Sequence, residues 1–160
     1  MSEKIERKSR RDWRPSMNSL YPQIPVKLDE GAYLPERAHD TDVGADIRCC
    51  EGFVLPAHGS VVIETGVHIE LPPETKCEVK SKSGLWINHS IFTTGLIDEG
   101  FSGEIRVRMA NFSDEDYEFV AGEKITQLCV SPVCYPTYVQ ADEIKAGERG
   151  SNGYGSSGRL

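Results

Sequence analysis

The chain has 160 residues, a net charge of −7, and 38% hydrophobic and 27% charged residues, which is the ordinary composition of one globular domain. Its five cysteines are odd in number and none is spaced as a CxxC pair, so they fit neither a disulfide framework nor a thiolate zinc site. No apolar stretch is long enough to cross a membrane, and no secretory signal pattern is visible. We therefore expect a cytoplasmic protein with reduced cysteines and no membrane partner.

Positive charge is concentrated at the start of the chain. Residues 1–15 hold six Lys or Arg against three Asp or Glu, so the remainder is more acidic than the whole. An acidic body argues against general nucleic-acid binding, because phosphate backbones are held by basic surfaces. Residues 1–22 show no hydrophobic period and are expected to form a flexible basic leader. Such a leader is most simply a solvated extension, although contact with nucleic acid or an acidic partner stays open.

From Ile24 onward the pattern changes to short strands separated by turn residues. Residues 67–71 and 105–109 alternate apolar and polar side chains with the period of half-buried strands. Further short strands are expected over 77–81, 117–120 and 125–130, and only 83–89 looks able to form a helical turn or two. Many short strands with almost no helix predict an antiparallel sandwich or barrel such as a jelly roll.

The strand-rich domain is expected to span residues 23–146. Residues 147–160 consist mostly of glycine, serine, asparagine and charged residues, which cannot build a core. This last segment is expected to be a flexible C-terminal arm.

Two polar segments in the first half of the domain carry possible chemistry. Residues 42–47 (DVGADI) place two carboxylates around a glycine just before a strand. That pattern suits a capped turn as well as a carboxylate that faces a metal or a cation. Residues 80–85 (KSKSGL) combine lysines, serines and a glycine at a predicted helix start, where free backbone N–H groups attract anions.

Three further polar segments follow. In residues 95–105 (GLIDEGFSGEI), Asp98 leaves an apolar strand, and such a carboxylate can hold a water for attack or simply cap a hairpin beside a core aromatic. Residues 122–128 (GEKITQL) alone indicate only a turn that enters a strand. In residues 149–158 (RGSNGYGSSG), free glycine N–H groups can wrap phosphate, Arg149 can neutralise phosphoryl charge and Tyr154 can stack on a base. A disordered tail is the alternative for this last segment.

In this order and spacing, the five segments resemble the five motifs of the trimeric dUTPase family, from about Ile24 to Gly158. The resemblance implies an all-β, jelly-roll-like antiparallel barrel whose C-terminal arm closes the active site. It also implies a homotrimer with active sites shared between subunits. The implied activity is hydrolysis of dUTP to dUMP and pyrophosphate with Mg²⁺.

The resemblance further assigns roles to individual residues. Asp98 would orient and activate the water that attacks the α-phosphorus, and Arg149 would act on the γ-phosphate. Asp46 would reach magnesium through water, the ion being held mainly by the triphosphate. The implied substrate-binding residues are Lys82, Ser83 and Gly84 in the phosphate loop, Gly95 and Ile97 in the uracil hairpin, Phe101 at the deoxyribose, Gln127 on phosphate, and Arg149, Tyr154, Gly155 and Ser156 in the arm.

Three positions depart from the usual wording of the family motifs. Lys82 stands where arginine is common, so the charge remains but the two-pronged guanidinium geometry is lost. Phe101 stands in place of tyrosine and Tyr154 in place of phenylalanine, and both keep an aromatic ring. None of the three removes a chemical role.

Two rival functions stay open. A dCTP deaminase shares this fold, but its chemistry needs a glutamate where alignment on Asp98 and Asn111 places Arg108. A cation cannot perform the proton transfers of that glutamate. The second rival is a nucleotide-sensing protein that keeps the pocket but catalyses little.

Overall fold

The computed structural model describes residues 23–145, 147 and 150. This part of the chain forms ten strands and one short helix. In chain order they are β1 (Val26–Leu28), β2 (Ala45–Arg48), β3 (Phe53–Leu55), β4 (Ser60–Glu64), β5 (Val67–Ile69), β6 (Thr75–Lys80), α1 (Ser83–His89), β7 (Ile91–Ile97), β8 (Arg106–Asn111), β9 (Tyr117–Phe119) and β10 (Lys124–Pro132).

Six of these strands form one sheet in the order β2-β10-β6-β7-β8-β4. Two two-stranded ribbons, β1-β5 and β3-β9, complete the described structure, and every strand pair is antiparallel. Strands far apart in sequence are neighbours, since β2 pairs with β10. The predicted all-β, jelly-roll-like architecture is confirmed.

The core forms where the alternating strands turn their apolar faces inward. In β8, Val107 and Met109 are buried whereas Arg106 and Arg108 are exposed, as the alternation predicts. Phe119 from β9 is the largest fully buried side chain. Burial of these side chains removes apolar surface from water and fixes the strand register, because a one-residue slip would bring the arginines inward.

The predicted elements agree closely with the observed ones. Helix α1 covers Ser83–His89, as expected, and Ser90 ends it in a left-handed conformation with φ of 54°. The strand expected over 67–71 ends at Ile69, and the one expected over 77–81 covers Thr75–Lys80. The differences are of one or two residues at strand ends.

The predicted leader, residues 1–22, lies outside the described residues, and so does nearly all of the predicted arm, residues 147–160. Both stay predictions. Over the described ranges, no helix is long and apolar enough to cross a membrane.

Candidate active site

Asp46 holds two lysines at the centre of the candidate site. It lies in β2 and is only 6% exposed. Its Oδ1 accepts a hydrogen bond from Nζ of Lys82 at 2.5 Å, and its Oδ2 accepts one from Nζ of Lys124 at 2.6 Å. Burial by itself would raise the pKa of Asp46, but the hydrogen bonds from Lys124 and Lys82 outweigh it and lower the pKa below its usual value. The carboxylate therefore stays ionised and keeps both ammonium groups side by side.

Gln127 lies opposite Asp46 across the β2-β10 pair. Its Nε2 donates a hydrogen bond to the carbonyl oxygen of Ser81 at 3.1 Å, just before Lys82. The first, second and fourth polar segments of the sequence therefore meet at one end of the sheet. Their meeting depends on strand pairing between distant parts of the chain.

A bulge in β10 turns Lys124 toward Asp46. Lys124 and Gln127 are three positions apart, so in a regular strand their side chains would point to opposite faces. The register shifts between Lys124 and Thr126, where one extra residue is inserted opposite Arg48 and Ile47. As a result, Lys124 and Gln127 line the same cavity.

This cavity, which we call the lysine pocket, has a volume of about 390 Å³. Its polar lining includes Lys82, Lys124, the amide of Gln127 and Ser83 at the start of α1. A second carboxylate, Asp42, also lines it, and Oδ2 of Asp42 accepts a hydrogen bond from the backbone N–H of His39 at 3.0 Å. Two ammonium groups beside neutral donors suit an anion such as phosphate. A Cβ added to Gly84, the next residue of α1, would meet no atom within 4 Å.

Asp98 lies at a second site, at the end of β7. Its side chain is exposed, and its carbonyl oxygen accepts a hydrogen bond from the N–H of Phe101 at 3.2 Å, which closes the turn. Gly100 has a φ of 90° in this turn, a conformation that favours glycine. A cavity of about 310 Å³, which we call the hairpin pocket, is lined by Val79, Gly95, Leu96, Ile97, Asp98, Phe101, Glu104, Ile105 and Arg106.

The ring of Phe101 forms one wall of the hairpin pocket. It lies over Gly103, since a Cβ at Gly103 would be 2.7 Å from Cζ of the ring. Phe101 is 47% exposed, so the alternative that it is a core aromatic is excluded. Ile97 also lines the pocket, although it is only 7% exposed.

Asp98 and Lys82 lie beyond opposite ends of the β6-β7 pair, although the hairpin pocket extends along the pair to Val79 and Gly95. Asp98 follows the paired residues Cys77 and Ile97, whereas Lys82 follows the paired residues Lys80 and Thr94. Cys77 and Lys80 are three residues, or roughly 10 Å, apart along β6. Asp98 lies beyond the Cys77 end of this interval, and Lys82 lies beyond its Lys80 end, so the two residues are farther apart than the interval itself. A single chain therefore does not bring Asp98 to the lysine pocket.

The sequence-predicted site residues thus fall into three groups. Asp46, Lys82, Ser83 and Gln127 meet in the lysine pocket, and Gly95, Ile97, Asp98 and Phe101 meet in the hairpin pocket. The arm residues Arg149, Tyr154, Gly155 and Ser156 lie outside the described residues. Lys124 was missed, because the strand period separates it from Gln127 and no residue in 122–128 signals the bulge.

The side chains around Asp46 do not form a metal site of their own. Within 23–145, 147 and 150, no three His, Cys, Asp or Glu side chains lie close enough together to hold one. Both oxygens of Asp46 accept hydrogen bonds from ammonium groups, although each keeps a second lone pair for a water. This arrangement does not fit an ion held by the protein alone. It fits an ion carried by a ligand and reached by Asp46 through water.

Comparison with known proteins agrees with this geometry. The family model described as dUTPase matches residues 30–158. The deoxyuridine 5'-triphosphate nucleotidohydrolase of Clostridium acetobutylicum is 39% identical over 135 residues, which cover 82% of this chain and 93% of that protein.

Solved structures show the same relationship. The dUTPase of Staphylococcus bacteriophage 80alpha with dUPNHPP superposes with a TM-score of 0.79 at 29% identity, covering 86% of this chain and 99% of the phage chain. A mutant dUTPase from phage phi11 of S. aureus, whose structure shows the coordination of a structural Mg(II) ion, superposes with a TM-score of 0.71 at 26% identity. This match covers 78% of this chain and 100% of the phi11 chain.

Proposed function

The chain belongs to the dUTPase family, and we propose that it hydrolyses dUTP to dUMP and pyrophosphate. The observation that carries the proposal is the paired pockets: one presents two ammonium groups and an amide to an anion, and the other presents an exposed carboxylate beside an aromatic ring. A nucleoside triphosphate has an anionic phosphate chain, which the first pocket suits, and a base and sugar, which can pack on the aromatic ring of the second.

The lysine pocket would bind the phosphates. Lys82 and Ser83 would contact the oxygens around the bridge between the α- and β-phosphates, and Gln127 would donate to a neighbouring oxygen. Cationic and amide donors fixed in place neutralise charge on the phosphates without reorganising during the reaction. Arg149 in the arm would add a cation at the γ-phosphate.

Asp98 would orient the attacking water. Its carboxylate accepts a proton from the water while the water oxygen forms a bond to the α-phosphorus. The bond from the α-phosphorus to the bridging oxygen breaks, and the electron pair leaves with pyrophosphate. The products are dUMP and pyrophosphate, and the proton from the water is released to solvent after Asp98 gives it up.

Magnesium would enter with the triphosphate, because the described residues fit no protein-held ion. When bound, it supplies charge neutralisation at the phosphate oxygens. Asp46 is the residue that would contact it through water. The structure of the phi11 relative shows a structural Mg(II) ion, which supports magnesium as the metal of the proposal.

The hairpin pocket would select the nucleoside. Gly95 and Ile97 would contact uracil through their backbone groups, since Ile97 buries its side chain. The ring of Phe101 would pack on the deoxyribose and exclude a 2′-hydroxyl. Tyr154, Gly155 and Ser156 of the arm would close over the bound nucleotide, excluding bulk water.

We further propose a homotrimer with shared active sites. The separation of Asp98 from Lys82 within one chain supports it, because one nucleotide needs both residues. The test is complementation: Asp98→Asn and Lys82→Gln proteins are each assayed alone and after co-refolding. Shared sites predict that the mixture is more active than either parent, since some sites then combine two intact halves. A mixture no more active than its parents would contradict sharing.

The deaminase alternative is less well supported. Arg108, at the position where deamination needs a glutamate, donates a hydrogen bond from its guanidinium to Oγ of Ser60 at 3.0 Å on the exposed face of β8. The sensing alternative predicts binding without turnover. A cytoplasmic location accords with the proposed role in nucleotide metabolism.

The deciding experiment is an incubation of the full chain with Mg²⁺ and, separately, dUTP, dCTP, dTTP and UTP. Pyrophosphate and ammonia are both measured. We expect pyrophosphate from dUTP alone and its loss in Asp98→Asn. Ammonia from dCTP would move the protein to the deaminase class, and binding without any turnover would favour a sensor.

A further inference from the structure

Lys124 lines the lysine pocket, but none of the phosphate contacts assigned above involves it. We propose that Lys124 is a phosphate-binding residue, which together with Lys82 forms a two-point cationic clamp for the triphosphate. Asp46 is the buried carboxylate that holds both ammonium groups of the clamp in place. This inference rests on the proposed function, because it names further recognition at the same site. Its probe is inorganic tripolyphosphate, so it can also be tested without nucleotide.

The geometry of the three side chains supports the clamp. Lys82 precedes α1 and Lys124 opens β10, so they come from different parts of the fold. Each bonds a different oxygen of the same carboxylate, at 2.5 and 2.6 Å. Because Asp46 is buried in β2, it fixes both ammonium groups at one wall of the lysine pocket.

The free N–H donors support an anionic ligand. One lysine neutralises Asp46, and the second balances Asp42, the other carboxylate that lines the pocket. Each ammonium group has three N–H donors and gives one to Asp46, which leaves donors for a ligand. The side chains of Lys82 and Lys124 are 26% and 33% exposed, so both reach the space inside the pocket.

A second lysine also answers a geometric requirement. One ammonium group is a point charge and cannot match two phosphate oxygens with the planar fork that a guanidinium offers. Two ammonium groups at a fixed separation can contact two oxygens. The β10 bulge therefore has a chemical consequence, since it brings the second ammonium group to the pocket.

The first experiment measures the Kd of tripolyphosphate without Mg²⁺ by calorimetry, and then KM and kcat for dUTP with Mg²⁺, for Lys124→Met in the full chain. Losing a charge-assisted hydrogen bond predicts a rise of roughly ten- to hundredfold in both Kd and KM, with a smaller change in kcat. Lys124→Arg keeps the charge and should retain most of the affinity. Lys27→Met is the matched control, because Lys27 also pairs with an aspartate, Asp29, at 3.1 Å but lies outside the pocket.

A purely structural role gives a different result. If Lys124 only neutralises Asp46, Lys124→Met lowers Tm but leaves Kd and KM unchanged, and the clamp is refuted. Should that variant not fold, wild-type protein with 13C-labelled lysines replaces it. The Cε signal that is missing in Lys124→Arg must then shift on addition of tripolyphosphate while the Lys27 signal does not. An unshifted Lys124 signal would refute the clamp.

The failure of this inference is distinguishable from failure of the proposed function. Hydrolysis of dUTP with equal KM in wild type and Lys124→Met would leave the function intact and remove only the clamp. Tripolyphosphate binding that depends on Lys124, in a protein that hydrolyses no dUTP, would keep the clamp and remove the function.

Discussion

Gly44 and Gln127 fit together so closely that a Cβ on Gly44 would lie 2.2 Å from Oε1 of Gln127 and 3.0 Å from its Cβ. The glutamine side chain thus occupies space that a larger residue at position 44 would fill. Gly44 comes just before β2, and Gln127 lies in β10 opposite Asp46. The glycine therefore fixes where the amide of Gln127 is presented to the lysine pocket.

Replacing Gly44 by alanine should displace the Gln127 amide. We expect Gly44→Ala to lower kcat/KM for dUTP by roughly ten- to hundredfold, because a hydrogen bond to a charged phosphate is lost. Overpacking should also lower stability by about 1–3 kcal/mol. Kinetics and thermal unfolding measure the two effects, and Gln127→Ala should reproduce the kinetic one. Gly84→Ala is the stability control, since a Cβ there meets open space. If kcat/KM of Gly44→Ala equals that of wild type, the position of the Gln127 amide does not matter for dUTP hydrolysis.

Asp98→Asn should separate catalysis from folding. The side chain is exposed at the end of β7, so its replacement by a neutral isostere should leave Tm unchanged. Loss of the carboxylate that accepts a proton predicts a fall in kcat of roughly 10²- to 10⁴-fold. Asp114→Asn, another exposed carboxylate but outside both pockets, is the control. Wild-type turnover by Asp98→Asn would mean that another group activates the water.

Truncation before Gly147 should leave the fold intact and remove most activity. The described strands all lie within 26–132, so the sheet does not need the arm. Loss of an arginine on transferring phosphate costs roughly 10³ to 10⁵ in rate in other phosphoryl-transfer systems. Circular dichroism of the truncated protein checks its fold, and pyrophosphate release measures its rate. Arg149→Ala in the full chain distinguishes the effect of losing the arginine from that of losing the rest of the arm. Full turnover by the truncated protein would contradict a catalytic arm.

The pair formed by His68 and Asp29 should make stability depend on pH. Nε2 of His68 lies 2.9 Å from Oδ2 of Asp29, and this hydrogen bond, aided by one to the carbonyl oxygen of Ser102, raises the pKa of His68 above 6.5. A raised pKa means that the stabilisation is fully present below the unfolded value and is lost as pH rises through the folded value. The Tm of wild type should therefore be higher than that of His68→Gln, and this difference should be larger at about pH 5.5 than at about pH 8.5.

The control for this pH effect is His39→Gln, which changes an exposed turn residue. The Tm of that variant at both pH values gives the effect of replacing an exposed imidazole outside the pair. A Tm difference between wild type and His68→Gln that is the same at both pH values would show that the pair does not couple protonation to folding.

Cys77 should be the least reactive thiol of the protein. It is fully buried in β6, and burial raises its pKa to about 12. Because the thiolate is the nucleophile, alkylation by iodoacetamide at about pH 8 should spare Cys77 until the protein is denatured. Exposed Cys134 should react first, and mass spectrometry of Cys134→Ser identifies its peptide. Rapid native labelling of Cys77 would indicate local opening of β6.

The local pattern of the sequence predicted α1 and five of the ten described strands, β5, β6, β8, β9 and β10. The alternation in 105–109 predicted β8, and 83–89 was expected to form a helical turn or two, because both features depend on neighbours within a few residues. The same local segments carried the family resemblance, which the dUTPase model over 30–158 confirms. Roles for Asp98 and Lys82 could be assigned from that resemblance, although their distance from each other could not.

Only the tertiary structure decided which segments meet. Asp46 and Gln127 become neighbours through a strand pair that joins residues far apart in sequence, and no local pattern encodes that register. The bulge before Thr126 reverses the face on which Lys124 lies, so the period-two rule hides it. The antiparallel run of β6 and β7 separates Asp98 from Lys82. Each of these facts follows from backbone hydrogen bonds between strands, and a linear pattern does not contain the geometry of those bonds.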